Sequence, residues 1–182
     1  MAYSNNTGLP SVSDILRPFI NTAYFTEEHS ARGSAVHSAC NAHINGAYVP
    51  PLEPGHQPYF DSFRRWADAS VDVVLYSEER LVDESMHYCG QFDIVAALKG
   101  DRGFSVIDLK TSQSFYDWFP VQLAGYAHLI VKAKEMAITR RLSVLLKNDG
   151  SGCKTKDYAG ETHWNVFRSA LNCYKYFNKN GG

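Results

Sequence analysis

Gly90-Gln91-Phe92-Asp93-Ile94-Val95-Ala96-Ala97-Leu98 and, beyond Lys99-Gly100-Asp101-Arg102-Gly103, the run Phe104-Ser105-Val106-Ile107-Asp108-Leu109-Lys110-Thr111 decide how this chain is read. Both runs are rich in Ile, Val and Phe, which suit a pleated, half-buried surface, and the glycine-bracketed charged segment between them predicts a hairpin turn. Side chains alternate along a strand, so Asp108 and Lys110 share one face while Ile107 and Leu109 take the other. A turn centred on Asp101 leaves Asp93 eight residues before it and Asp108 seven after it. Both acids then lie at the end of the hairpin remote from the turn, where they can share a cation.

For a single strand aspartate, a solvated charge on an open face is the simplest account. Two together are less easily explained, because Asp is depleted in strands and neighbouring carboxylates repel unless a cation or protons neutralise them. Hard divalent cations such as Mg2+ and Mn2+ take oxygen ligands and often use only one or two carboxylates, keeping other positions for water or substrate phosphate. Asp-x-Lys alone is a short and common pattern, so its meaning depends on the rest of the chain.

Upstream, Thr26 followed by Glu27 and Glu28 predicts the capped, dipole-complemented start of a helix running to about Asn45. His37 lies within it, and Gly33 one turn earlier removes a side chain, which would let the helix approach the sheet or a nucleic-acid backbone. Downstream, Gln122 and Tyr126 are four residues apart on the helix that begins after Asp117-Trp118-Phe119-Pro120, and so share a face. Leu123, Ala127, Ile130 and Val131 give that helix an apolar stripe. Taken alone, His37 reads as a hydrogen-bonded core histidine, and Gln122 with Tyr126 as a polar pair at the edge of the stripe.

Four pieces in order resemble the PD-(D/E)XK nuclease superfamily, and within it the RecB-like exonuclease branch of phages and bacteria. Arg32-Gly33-Ser34-Ala35-Val36-His37 resembles G-x-x-x-H, Gly90-Gln91-Phe92-Asp93 resembles G-x-x-D, Ile107-Asp108-Leu109-Lys110-Thr111-Ser112 resembles D-x-K-T-S, and Gln122-Leu123-Ala124-Gly125-Tyr126 resembles Q-x-x-x-Y. Ile107 stands where the superfamily name has Pro, a position that varies in this branch. The resemblance implies a divalent-metal-dependent DNA exonuclease with a restriction-endonuclease-like core, serving recombination, repair or replication. It implies His37, Asp93, Asp108 and the Leu109 carbonyl as ligands to Mg2+ or Mn2+, and Lys110 as the group that orients or deprotonates water. Gln122 and Tyr126 would support that lysine and contact the DNA strand. Glu78, ending the strand-like run Val71 to Glu79, matches a further acidic position better than Glu79 does. A structure-specific endonuclease, or a non-catalytic DNA-binding or inhibitor module on the same fold, are the competing expectations.

The chain has 182 residues, 45% of them hydrophobic, which predicts one domain over residues 1–182 with a sizeable core. No apolar run reaches membrane-spanning length, and Met1 to Asn6 lack the pattern of a signal peptide, so a cytoplasmic protein without membrane contact is expected. Cys40, Cys89, Cys153 and Cys173 are scattered, favouring neither zinc nor disulfides. Relatives with an iron-sulfur cluster place one Cys before the His and three near the C-terminus, so this arrangement predicts no cluster.

A net charge of −1 argues against a protein that coats nucleic acid generally. The run Lys132, Lys134, Arg140, Arg141 and Lys147, then Lys154 and Lys156, is nevertheless a candidate phosphate track. Phe115, Tyr116, Trp118 and Phe119 sit where bases of single-stranded or frayed DNA could stack. A recombinase, helicase or single-strand-binding partner would fit such a substrate. A short helix after Pro10, the His37 helix, a Pro-rich loop over 48–58, a helix carrying Tyr59, Phe63 and Trp66, strands to Lys110, the Gln122 helix, a buried strand over 141–147 and a final helix over 161–178 complete the path. This order predicts an α/β fold, a central mixed sheet flanked by helices, with a disordered Gly181-Gly182 tail.

Overall fold

The computed structural model describes residues 8–22 and 26–178. The expectations for Met1 to Asn6 and for the Gly181-Gly182 tail lie outside the described residues. In chain order the helices are α1 (Val12–Leu16), α2 (Glu27–Ile44), α3 (Gln57–Ser70), α4 (Phe119–Lys134) and α5 (Thr162–Phe177). The strands are β1 (Val71–Ser77), β2 (Arg80–Asp83), β3 (Tyr88–Gln91), β4 (Ile94–Leu98), β5 (Phe104–Lys110), β6 (Ile138–Leu146) and β7 (Cys153–Asp157).

Local chemistry sets several of these boundaries. A capping box opens α1, with Ser11 Oγ accepting from the Asp14 N–H while Asp14 accepts from the Ser11 N–H. Thr26 caps α2 as the sequence predicts, accepting from the His29 N–H. Helices α3 and α4 each carry proline in the first turn, where its missing N–H costs nothing.

Five strands form one sheet in the order β1-β4-β5-β6-β7, and β2 and β3 form a separate antiparallel pair. β5 and β6 run parallel and the other neighbours antiparallel. A parallel pair needs a crossover, and α4 supplies it. On one side of the sheet Ile94, Ile107, Leu109, Leu142 and Val144 pack with Val36 and Ala39 of α2 and Phe63 of α3. On the other, Val95 and Val106 pack with Ile15, Leu123, Ile130 and Phe167 from α1, α4 and α5. This is the expected α/β arrangement, a mixed sheet between helical layers.

Three local expectations change. Residues 90–98 are not one strand: Gly90 and Gln91 pair with β2, the strand is interrupted at Phe92-Asp93, and only Ile94 onward pairs with β5. The stripe on α4 is broader than a single face, since Phe119 through Tyr126 are all buried. Val131, expected to pack, is 45% exposed. The reason is position, for the sheet, α1, α5 and the β2-β3 pair enclose this helix as far as Ile130, and Val131 lies where it emerges. Finally, a Cβ on Gly33 would meet only Thr111 Oγ1, at 3.9 Å, so close packing does not require glycine there. The demanding glycine is Gly90, where a Cβ would lie 2.9 Å from Leu129 and 3.0 Å from the Tyr126 ring.

Candidate functional site

The strand interruption at Phe92-Asp93 leaves Asp93 at the end of the sheet, where α2 presents His37. His37 Nδ1 lies 3.2 Å from Asp93 Oδ1 and 4.0 Å from Glu78 Oε1. Ligand atoms of His37, Glu78 and Asp93 all fall within 4.8 Å of one another. Glu78 reaches this position because it turns the chain with a left-handed φ of 50°, an uncommon conformation for a non-glycine residue, and its N–H donates to the Asp93 carbonyl at 2.8 Å. Glu79, by contrast, faces away and pairs with Lys134.

Asp93 is fixed from the other side by the Leu109 N–H, which donates to its Oδ2 at 2.6 Å. Asp108 and Lys110 share a face as strand alternation requires, with Lys110 Nζ 2.6 Å from Asp108 Oδ2. Lys110 Nζ also donates to Gln122 Oε1 at 2.7 Å, and Gln122 Nε2 donates to the Tyr126 hydroxyl at 3.2 Å. Trp118 and Phe119 place their rings 5.0 and 4.8 Å from the same ammonium, within cation–π range. The predicted residues therefore form two adjoining groups: His37, Glu78 and Asp93 in one, Asp108, Lys110, Gln122 and Tyr126 in the other.

Two expectations are corrected here. Asp108 is buried, with 3% of its surface accessible, and is not an exposed strand position. Phe119 is buried too, so of the four aromatics after Lys110 only Tyr116 is largely open, at 46%. Within the basic run, three members are taken up by local pairs: Lys132 with Asp83, Lys134 with Glu79, and Arg140 with Asp101 and Asp157. Arg141 donates to the carbonyls of Tyr158 and Gly160.

The protonation pattern follows from this crowding. Burial alone would lower His37, but the Asp93 charge and hydrogen bond, helped by Glu78 and opposed by Lys110, raise it to about 9. Burial would raise Asp93, yet the His37 charge and hydrogen bond, Lys110 and the Leu109 N–H hold it below the ordinary carboxylate range. Burial pushes Asp108 up to about 6, with Lys110 pulling against it and Asp93 adding to the rise. Glu78 is raised by burial and by Asp93. Three carboxylates thus face one imidazole and one ammonium. One imidazole nitrogen and two carboxylate oxygens converging at this spacing fit a divalent cation.

Gln91 belongs to this site and was not singled out in the sequence. Its Nε2 donates to Glu78 Oε2 at 2.6 Å, setting the carboxylate's orientation. Its place two residues before Asp93 was the available signal. Two other histidines, His43 and His56, stand elsewhere: His43 lies 3.6 Å from Asp68 and packs edge-on to Phe60, and His56 lies 3.8 Å from Glu53.

No protein-family model matches the chain, and no curated protein does. Among solved structures, a Eubacterium rectale protein titled a putative exonuclease aligns over 100% of this chain and 87% of its own, at 10% identity and a TM-score of 0.58. The two share a fold. An alkaline exonuclease from Laribacter hongkongensis aligns over 96% of this chain and 93% of its own, at 11% identity and a TM-score of 0.43. A structure of the latter enzyme with dAMP aligns over the same shares at 14% identity and a TM-score of 0.35. Among the described residues no helix is long and apolar enough to cross a membrane.

Proposed function

We propose that this chain is a divalent-metal-dependent nuclease of the PD-(D/E)XK superfamily, acting on DNA as an exonuclease of the RecB-like branch. The observation that carries the reading is the convergence of His37, Glu78 and Asp93 beside an Asp108–Lys110 pair whose lysine is held by Gln122. His37, Asp93, Asp108 and the Leu109 carbonyl, with Glu78, would hold Mg2+ or Mn2+. The cation, when bound, supplies Lewis acidity: it lowers the pKa of water and offsets the charge developing on phosphate oxygens.

The protein's own groups do the positioning. Asp93 is held by the Leu109 N–H on one oxygen, leaving the other toward His37. Lys110 has acceptors on two sides, Asp108 and Gln122, so its ammonium is aimed without freedom to wander. In this reading it orients the attacking water and the cleaved phosphate. Tyr126 anchors Gln122 in turn. The exposed Tyr116 offers a ring on which an unpaired base can stack.

Exonuclease action predicts that, with Mn2+ or Mg2+, linear single-stranded or end-frayed DNA is degraded to short products regardless of sequence, while a closed single-stranded circle survives. Product gels on the two substrates decide it. Rapid nicking of the circle would make the enzyme an endonuclease. No cleavage of either DNA under any divalent metal would leave a non-catalytic module on the same fold. A role in recombination, repair or replication, with a helicase, recombinase or single-strand-binding partner supplying frayed ends, follows from this reading.

A further inference from the structure

We propose that a cavity at the carboxyl ends of β5 and β6 is the subsite for the nucleotide next to the cleaved bond, with Lys154 as the contact to its phosphate; this rests on the nuclease reading above. The cavity has a volume of about 380 Å3, and its walls include Tyr59, Ser112, Gln113, Leu145 and Lys154. That volume is in the range of small-ligand sites. Ser112 and Gln113 follow Lys110 by two and three residues, so one wall is a direct extension of the candidate site.

Register places the opposite wall. Lys110 pairs with Leu145 of the parallel neighbour, and Leu145 pairs with Lys154 on the edge strand. Paired residues direct their side chains to the same face, so Lys154 stands on the face of Lys110, two strand spacings or about 10 Å away. Asp108, Ser143 and Lys156 repeat the relation one step back. The two edge lysines also differ from Lys132, Lys134 and Arg140 of the basic run. Lys132, Lys134 and Arg140 are committed to carboxylates, whereas among the described residues neither Lys154 nor Lys156 has a carboxylate partner. Lys156 lies over the rings of Phe115 and Tyr158, at 5.9 and 5.4 Å.

The lining suits an amphiphilic occupant. Tyr59, reaching the cavity from the α3 side of the sheet, gives an apolar surface for a base, while Ser112, Gln113 and Lys154 give polar groups for sugar and phosphate. Asp149 also lines the cavity, but its carboxylate accepts from the Ser151 N–H at 2.8 Å, and Lys147 adds a cation beside it. The balance at the wall is therefore one positive charge in excess, which favours an anionic occupant such as a phosphodiester.

The test is fluorescence-anisotropy binding of a short labelled single-stranded oligodeoxynucleotide, in EDTA to prevent turnover, over a range of salt. Lys154→Ala should weaken binding roughly fivefold and lower the slope of log affinity against log salt by about 0.7, as loss of one phosphate contact on a single strand does. Lys154→Glu should weaken it further, and Arg102→Ala, on the exposed hairpin turn at the far end of the strands, should leave it unchanged. With metal present, Lys154→Ala should raise KM and keep kcat. Wild-type affinity in both Lys154 variants, or an equal loss in Arg102→Ala, overturns the subsite. Cleavage with an unaltered KM in Lys154→Ala overturns it while leaving the nuclease reading in place. Lys154-dependent binding without cleavage under any metal does the reverse, sustaining the subsite as a DNA contact.

Discussion

Lys110 is bounded by a buried carboxylate, an amide oxygen and two aromatic rings, and that enclosure makes it the residue whose loss should be felt most. Lys110→Met keeps the stem and removes the charge, and is expected to cut cleavage by at least about 100-fold. Asp108 would then be buried without its partner. Because burial already raises its pKa to about 6, it can take a proton, limiting the cost to about 1–3 kcal/mol by urea denaturation. Cleavage at the wild-type rate would exclude Lys110 from the machinery. His37 offers a second residue-scale prediction. A metal needs its neutral form, and the proton is held up to about pH 9, so metal affinity by calorimetry should rise between pH 6 and pH 9 with proton release. In the metal-free protein the sign for folding is opposite. A histidine raised from 6.5 contributes fully below pH 6.5 and loses that contribution as pH rises through about 9. His37→Ala should abolish both dependences, and an unchanged metal affinity in that variant would remove His37 from the ligand set.

The β2-β3 pair and α4 are held together by a second polar cluster. Asp83, fully buried in its side chain, accepts from Lys132, Ser85 and the Met86 N–H and lies 3.2 Å from His128, whose ring stacks on Trp164 at 4.1 Å. Removing it as Asp83→Ala should cost about 2 kcal/mol, a modest figure because Lys132 and His128 are partly exposed and water can replace their partner. Its hydrogen bonds outweigh burial and hold its pKa below the ordinary value. The stabilisation is therefore fully present above about pH 4 and lost as the pH falls, so the variant and wild type should converge in acid. Equal stability at pH 7 would show that the hairpin does not depend on this clamp. The same contact between β3 and α4 makes Gly90 sensitive. A methyl group there would press on Leu129 and Tyr126, so Gly90→Ala should cost about 1–3 kcal/mol and disturb the Tyr126–Gln122–Lys110 chain. Thermal melts and turnover measured together would test that coupling.

Across the whole molecule, cations that are neighbours in the chain are separated by the fold. Arg140 ties the hairpin turn at Asp101 to Asp157 on the edge strand, bracing the sheet across three strands. Arg140→Ala should accordingly lower thermal stability while leaving oligonucleotide affinity within about twofold of wild type. A large loss of affinity at wild-type stability would return Arg140 to the phosphate track. The contrast with Lys154 is topological. β6 begins beside the hairpin turn, where Phe104 pairs with Ile138, and ends beside Lys110, so early and late basic residues of the run reach opposite ends of the sheet.

Local pattern by itself determines much of this protein. Alternation in β5 requires Asp108 and Lys110 to share a face, Thr26 marks the start of α2, and four-residue spacing aligns Gln122 with Tyr126, because each depends on neighbours in the chain. Other features depend on partners far away in sequence. The strand break that frees Asp93 arises because Gly90 and Gln91 pair with β2, and the burial of Asp108 arises because α4 closes over the sheet. Gln91 became part of the site only through Glu78, thirteen residues away, and Lys134 and Arg140 left the basic run only because the fold brings Glu79 and Asp101 alongside them. Local sequence fixes which way a side chain points from its own strand or helix, but what it meets there is decided by packing, which short-range pattern does not encode.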